Sequence, residues 1–207
     1  MRAENITPDF ERQVSEHVME VFADDGVRRH LRFRKPGTMM MHFDLITWAG
    51  HLCYTGDMGT FVFTRLQDMF EFFRPDHGRS LYSIDYRYWA EKVVAQDRDG
   101  VDKFSMECFH AEVRGYLEQY ADGDELSPDL RTAVEDDVLC ADDEYDAWTR
   151  LRDFSHTDTS GRKFYFADWE RSCKEYTHRF LWCCHALRWG IQMYDAQRER
   201  GGGDAKP

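Results

Sequence analysis

The chain has 207 residues, of which 42% are hydrophobic and 15% aromatic, and its formal net charge is −12 at pH 7. This length suits one domain, and the hydrophobic content is ample for a packed core. No run of about 18 apolar residues occurs, which excludes a membrane-spanning helix. The first residues, MRAENITPDFERQ, carry charges where a signal peptide needs an apolar segment. Six cysteines without a CxxC spacing predict reduced thiols and no disulfides.

The first predicted elements are a helix and a basic strand. Thr7-Pro8-Asp9 is typical of a helix start, because it combines a hydroxyl cap, a proline in the first turn and an acid at the positive helix end. Helical spacing predicts one apolar stripe that continues until Asp25-Gly26 ends the helix: Phe10, Val14, Val18, Val21 and Phe22. Residues 27–35 alternate between apolar and basic side chains and predict an edge strand with a positive outer face. That face either binds phosphate or only prevents sheet pairing.

Residues 43–63, FDLITWAGHLCYTGDMGTFVF, predict two or three short strands joined by tight glycine turns. Alternation separates the side chains of the first strand into two faces, with Met39, Met41, Phe43 and Leu45 on one and Met40, His42, Asp44, Ile46 and Trp48 on the other. Three aromatic residues of this region are predicted to be largely buried: Trp48, Phe61 and Phe63.

The stretch FDLITWAGHLCYTGDMGTFVFTRLQDMFEFFR, from Phe43 to Arg74, resembles the signature block of uncharacterised proteins encoded by tailed phages and prophages of proteobacteria. The resemblance continues through residues 88–92, 133–136 and 164–166, so it spans most of the chain. It implies an accessory protein of a mobile element that acts in the cytoplasm of the host bacterium. It assigns no catalytic or binding residues.

Mostly helices are predicted after the sheet. They cover residues 66–73, 103–120 and about 168–198, with a short strand at 163–166 and a disordered tail at 201–207. The aromatic segment 81–94 predicts core or a lid over the core, with a base-stacking platform as the alternative.

The predicted fold class is therefore α+β. A small antiparallel sheet at about residues 27–64 is packed by the N-terminal helix and followed by a mainly helical portion with a long C-terminal helix. Residues 1–200 are predicted to form a single domain that includes an acidic helical part at 101–154.

Acidic residues are concentrated between Glu118 and Asp146. Twelve acids face only one basic residue there, Arg131, so the segment carries about −11 of the formal charge of −12. Ordinary solubilising charge is dispersed instead. Ser127-Pro128-Asp129 predicts a helix start, and a narrow buried stripe follows it: Leu130, Val134, Val138 and Cys140/Ala141.

Carboxylates spaced along a helix can imitate the phosphates of a nucleic acid toward a basic groove. The predicted partner-binding residues are Glu135, Asp136, Asp137, Asp142, Asp143, Glu144 and Asp146. Two alternatives stay open. The acids form a solvated face without a partner, or they bind a divalent cation, although the ligand order and central glycine of an EF-hand are missing.

Three constellations near the central turns suggest chemistry. His42, Asp44 and His51 offer two imidazoles and a carboxylate for a metal or for proton transfer. Cys53 with His51 offers a nucleophile and a base. The turn Gly56–Gly59 offers a phosphate cradle, but it lacks the lysine of a P-loop. Each is weaker than the interpretation that these residues shape hairpins.

Zinc is not predicted in the C-terminal helix, because consecutive residues point about 100° apart around a helix and cannot complete one tetrahedron. The cysteines and histidines concerned are predicted to be buried thiols and core residues: Cys173, His178, Cys183, Cys184 and His185.

The leading functional interpretation is a non-enzymatic, phage-encoded inhibitor of anti-CRISPR type. It would bind a host defence protein or ribonucleoprotein stoichiometrically through an acidic surface that mimics DNA. It implies no cofactor, no metal, no direct binding of nucleic acid and no membrane. The alternative is a small phage enzyme, or a nucleotide- or metal-binding protein, that uses the region of His42, Asp44, His51 and Gly56–Gly59.

Overall fold

Six antiparallel strands, each paired with the next in the chain, form the main sheet. The computed structural model describes residues 6–75, 80–121 and 126–202. The strands of this sheet are β1 (Val18–Asp25), β2 (Arg28–Arg34), β3 (Phe43–Trp48), β4 (His51–Gly56), β5 (Gly59–Thr64) and β6 (Val93–Gln96). Four short strands follow: β7 (Asp102–Phe104), β8 (His156–Thr157), β9 (Lys163–Phe164) and β10 (Lys174–Tyr176). The helices are α1 (Ile6–Val14), α2 (Met69–Phe73), α3 (Tyr86–Ala90), α4 (Met106–Ala121), α5 (Pro128–Asp137), α6 (Glu144–Asp153) and α7 (His178–Gly202). The predicted α+β class is confirmed.

The chain divides into two compact units, residues 1–101 with 176–207 and residues 102–175. The first unit contains the six-stranded sheet together with α1, α2, α3 and α7. In the second unit, α4, α5 and α6 share an apolar core that includes Phe109, Val113, Leu130, Val134 and Leu151. The short strands form two further two-stranded sheets. One pairs β8 with β9 in antiparallel orientation, and the other pairs β7 with β10.

Alternate side chains of the central strands form one apolar face of the main sheet, and all of them are fully buried: Leu31, Phe33, Phe43, Leu45, Leu52, Tyr54, Phe61 and Phe63. Phe180, Trp182 and Leu187 of α7 pack in the same core. The helix approaches the sheet closely at Gly190, where a Cβ atom would lie 3.1 Å from Leu45 Cδ1. The predicted burial of Phe61 and Phe63 is confirmed.

A buried guanidinium joins four elements of the first unit. Arg29 of β2 is 6% exposed, and its two terminal nitrogens donate to the carboxylate of Asp68 at 2.9 and 2.8 Å. Its Nε donates to the hydroxyl of Tyr194 in α7 at 3.2 Å, and that hydroxyl donates to Asp24 of β1 at 2.8 Å. Asp68 also caps α2 by accepting from the backbone N–H of Phe70. The interaction therefore fixes α2 and α7 against the first two strands.

The predicted long N-terminal helix is wrong beyond Val14, because residues 18–25 form strand β1. Val18, Val21 and Phe22 satisfy helical spacing, but pairing with β2 overrides that local preference and leaves them 43–55% exposed on an edge strand. The basic strand β2 consequently lies between β1 and β3 and is not the predicted edge. The sheet also extends past residue 64, since β6 pairs with β5.

Trp48 is 41% exposed, so the prediction that it is buried is wrong. Side chains alternate along a strand, and Trp48 belongs to the set that points away from Phe43, Leu45 and α7. The side chains of this set define the outer face of the sheet.

The last helix begins at His178, ten residues after the predicted start at Asp168. Asp168 has a positive φ of 46°, which is incompatible with a continuous right-handed helix. Thr177 instead caps α7, because its hydroxyl oxygen accepts from the backbone N–H of Phe180 at 3.2 Å. Gly201 and Gly202 lie in α7, and residues 203–207 are outside the described part of the chain. Within the described residues, no helix has both the length and the apolar character needed to cross a membrane.

The two faces of the sheet predict different mutational costs. Phe61→Ala should lower the free energy of unfolding by about 3–5 kcal/mol, because it empties a fully buried site. Trp48→Ala should lower it by about 1 kcal/mol or less, because the indole is partly exposed. Urea denaturation of both variants measures the difference. Equal losses would contradict the assignment of the two faces.

Candidate functional site

The predicted partner-binding acids lie in two neighbouring places of the second unit. Glu135, Asp136 and Asp137 form the last turn of α5, and Asp142 to Asp146 run from the following loop into the first turn of α6. Six of the seven are exposed, and Asp146 is partly exposed. The segment 135–146 is called the acidic face below. Three other acids of the predicted block, Asp122, Asp124 and Glu125, lie outside the described residues.

The acids at the start of α6 have structural roles. The carboxylate of Asp143 caps this helix by accepting from the backbone N–H of Asp146 at 2.9 Å. Asp146 in turn accepts from Arg150 Nε at 2.7 Å, and this hydrogen bond lowers the pKa of the Asp146 carboxyl. Negative charge at this end also complements the helix dipole. The fold therefore explains Asp143 and Asp146 without a partner.

The acids at the end of α5 are electrostatically unfavourable. The last turn of this helix contains no basic residue, and the negative end of the dipole repels further negative charge. Glu135 pairs with Arg114 at 3.5 Å, in a contact where both side chains are about half exposed. Asp136 and Asp137 form no ion pair with any residue that the structure describes. Their charge is not explained by the stability of the fold.

Arg150 holds the two parts of the acidic face together. Besides its bond to Asp146, it donates from Nη1 to the backbone carbonyl of Asp137 at 3.1 Å. The guanidinium thus caps the carboxyl end of α5 and orients the first turn of α6 at the same time. Sequence reasoning missed this residue, because it follows the acidic segment. Its spacing of four residues from Asp146 on one helix was the available signal.

Charge is strongly segregated between the two units. Residues 102–175 contain twenty acidic and nine basic side chains, a formal charge of −11. The remainder contains nineteen acidic and eighteen basic side chains, a formal charge of −1. The acidity of the chain is therefore a property of the second unit.

The structure does not bring His42, Asp44 and His51 together. Asp44 pairs in register with Thr55, whereas His51 pairs with Trp48. Asp44 and His51 are therefore about 13 Å apart along the strand direction. The Nδ1 atom of His42 instead lies 3.1 Å from Asp57 Oδ1. No group of three or more potential ligands with metal-binding geometry occurs among the described residues.

Asp44 neutralises basic side chains of β2. It is 5% exposed and accepts from Arg32 Nε at 2.8 Å, and His30 Nε2 lies 2.8 Å from its other oxygen. Burial by itself raises the pKa of Asp44, but the hydrogen bonds with Arg32 and His30 outweigh burial and leave it below the usual value. Arg34 pairs with Glu20 at 2.7 Å. Arg32 and Arg34 of β2 are therefore not available to phosphate, which was one of the two roles that the sequence left open for this strand.

Backbone N–H groups at the turn Gly56–Gly59 already donate to carboxylates. Asp97 Oδ2 accepts from the backbone N–H of Thr60 at 3.1 Å, and Asp57 Oδ2 accepts from that of Met41 at 2.6 Å. A Cβ atom at Gly59 would collide with Asp97, and the φ of 92° there favours glycine. These amides and glycines shape a hairpin, and the acids beside them oppose a phosphate.

Three of the six cysteines are buried packing residues: Cys173, Cys183 and Cys184. All six thiols are free in the structure. Burial raises the pKa of Cys53 and raises those of Cys183 and Cys184 well above the ordinary value, so the nucleophilic thiolate is disfavoured. Burial also lowers the pKa of His185 to about 4, which keeps this core imidazole neutral near pH 7.

Comparison with protein-family models, curated proteins and solved structures finds no match to this chain.

The opposite roles of the acids predict opposite effects on stability. Asp143→Ala should lower the free energy of unfolding by about 1 kcal/mol, and Asp143→Asn by only a few tenths, because asparagine also caps helices. The double change Asp136→Asn and Asp137→Asn should raise it by about 0.3–1 kcal/mol by relieving the helix dipole. Urea denaturation at low salt measures all three. A loss of stability in the double variant would show that these two acids have a structural role.

Differences in burial among the six thiols predict different rates of reaction with a thiol reagent. In denaturant without reductant, a colorimetric thiol reagent should count six equivalents. In the native protein, the exposed Cys140 should react first, and Cys183 and Cys184 should react only as the protein unfolds. A count below six, or equally fast reaction of all thiols, would contradict this assignment.

Proposed function

We propose that this protein is a non-enzymatic inhibitor that binds the basic, nucleic-acid-binding groove of a bacterial defence complex through its acidic face. The observation that carries this proposal is the pair Asp136 and Asp137. These carboxylates are exposed, lack an ion pair among the described residues and lie at the end of the helix where negative charge is disfavoured. Such a local cost is expected where charge serves binding rather than folding.

The exposure and local order of the acidic face support mimicry of a nucleic acid. Asp136, Asp137 and Glu144 present carboxylates that form no ion pair within the described chain, whereas Asp142 lies close enough to Arg150 to contribute to the raised pKa of that guanidinium. Arg150 orders the backbone on both sides of the loop that carries them. An ordered set of anions lowers the entropic cost of binding, and its affinity for a basic groove would come mainly from charge.

The proposed biological setting rests on the resemblance of Phe43 to Arg74 to phage and prophage proteins. An inhibitor of a host defence complex, of anti-CRISPR type, is a function that such an accessory protein would perform in the host cytoplasm. The small-enzyme alternative has less support, because His42, Asp44 and His51 are separated and Cys53 is a poor nucleophile.

The test uses purified RNA-guided effector complexes and a fluorescent duplex target. The wild-type protein should displace the duplex from a sensitive complex, and displacement should weaken as ionic strength rises. The variant Asp136→Asn, Asp137→Asn, Asp142→Asn and Glu144→Gln should lose at least about 10-fold in inhibitory potency, since each charge contact contributes on the order of 1 kcal/mol.

The matched control neutralises two exposed acids of the same unit outside the acidic face, Glu107→Gln and Glu170→Gln. This control should inhibit as well as the wild type. Equal inhibition by the acidic-face variant and the wild type would refute the proposal, and so would equal losses in the variant and the control.

A further inference from the structure

The outer face of the main sheet carries apolar side chains that the core does not use. The four helices of the first unit, α1, α2, α3 and α7, all place buried side chains in the core on the opposite face of the sheet. Five apolar side chains of the outer face belong to neither apolar core of the described residues: Phe22, Ile46, Trp48, Cys53 and Val62. Apolar groups that stand together on a surface in this way are typical of an interaction site.

Four strands bring most of these side chains into one row. Ile46 of β3 pairs in register with Cys53 of β4, and Cys53 pairs with Val62 of β5. On the other side, Ile46 pairs with His30 of β2, and the ring of His30 lies 4.9 Å from the ring of Phe22 in β1. The residues Phe22, His30, Ile46, Cys53 and Val62 are called the outer row. The row crosses the sheet from β1 to β5.

Trp48 stands beside the outer row, because it lies two residues after Ile46 on the same face of β3. Its indole stacks on the ring of His51, with centroids 5.0 Å apart and planes 7° from parallel, and it remains 41% exposed. The stack fixes the orientation of the indole before any partner binds. Accessible, preoriented tryptophans are the side chains that contribute most to protein–protein interfaces.

The charges of the outer face sum to zero. By strand register, β1 to β5 place three arginines and three carboxylates on this face: Glu20, Asp25, Arg28, Arg32, Arg34 and Asp44. Arg32 pairs with Asp44 at 2.8 Å, and Arg34 pairs with Glu20 at 2.7 Å. A second copy of the chain presents the same uncharged face and is not repelled there, although each chain has a net charge of −12. A strongly charged partner gains no net attraction at this face.

The outer face is large enough for an interface between two copies. Strands β1 to β5 contain six to eight residues each. Five strands about 4.8 Å apart, with a rise of about 3.4 Å per residue, cover a rectangle of about 24 by 20 Å. Two such faces together provide about 1,000 Å², which is the size at which a specific interface becomes plausible. Face-to-face packing of two sheets is also a common protein architecture.

We infer that two copies of this protein associate through their outer faces and form a two-fold symmetric dimer in which the two sheets pack against each other. Because both copies use the same patch, each outer row and each Trp48 becomes covered by the partner copy. The inference goes beyond the proposed function, since it concerns the first unit and does not use the acidic face.

The experiment is sedimentation equilibrium of the full-length protein between about 1 and about 200 µM, the range expected for an interface near the lower size limit. The wild type should pass from monomer to dimer within this range. Val62→Lys should weaken association by about 10-fold or more, because the dimer would bury an unpaired charge in each copy. Trp48→Ala should weaken it by about 10-fold or more, because it removes the aromatic anchor.

The matched control is Tyr165→Lys, which places the same charge on an exposed position of the second unit. This control and the acidic-face variant should both dimerise like the wild type, so dimerisation and inhibition can fail independently. Thermal unfolding of each variant at about 1 µM, where the monomer predominates, shows whether the variant is folded.

A wild-type protein that remains monomeric up to about 200 µM would overturn the inference. A dimer that folded Val62→Lys and Trp48→Ala variants do not weaken would also overturn it, because the copies would then associate elsewhere, for example through the edge strand β1. Losses in Tyr165→Lys equal to those in Val62→Lys would have the same consequence.

Discussion

Burial of one face of the sheet beneath α7 is the constraint on which the first unit depends. Eight large side chains of β2 to β5 are fully buried in the same core as Phe180 and Trp182, and Gly190 permits close approach of the helix. The buried Arg29–Asp68 pair then fixes the helices laterally, which burial of apolar area alone cannot do because it is not directional. Removing Asp68 would leave the buried Arg29 guanidinium with Asp24, at 3.9 Å, as its acidic partner among the described residues.

The outer face follows from the same constraint. Since alternate residues of each strand must point away from α7, the sheet presents a second set of side chains that the helix does not cover. Part of that set is neutralised internally, as Asp44 is by Arg32 and His30. Trp48 and His51 do not belong to the core. They form the exposed stack that distinguishes one end of the sheet.

The acids of the second unit have opposite effects on the stability of the two helices that carry them. Acids at the start of α6 cap the helix and complement its dipole, whereas acids at the end of α5 oppose the dipole of their own helix. Arg150 is the element that makes both groups part of one ordered face, because it contacts Asp146 and the carbonyl of Asp137. Charge therefore opposes the stability of the fold at Asp136 and Asp137 and supports it at Asp143.

Local sequence patterns by themselves determined the α+β class, the hairpins around Gly50 and Gly59, the burial of Phe61 and Phe63, and the start of α5 at Pro128. They also located the concentration of acids. Only the tertiary structure decided that residues 18–25 are a strand, that Trp48 is exposed, and that Arg29 meets Asp68 and Tyr194. The physical reason is the distance along the chain over which each interaction acts. Turn chemistry and helix caps act within a few residues, whereas strand pairing, the choice of the buried face and ion pairs between distant segments depend on partners that periodicity cannot identify.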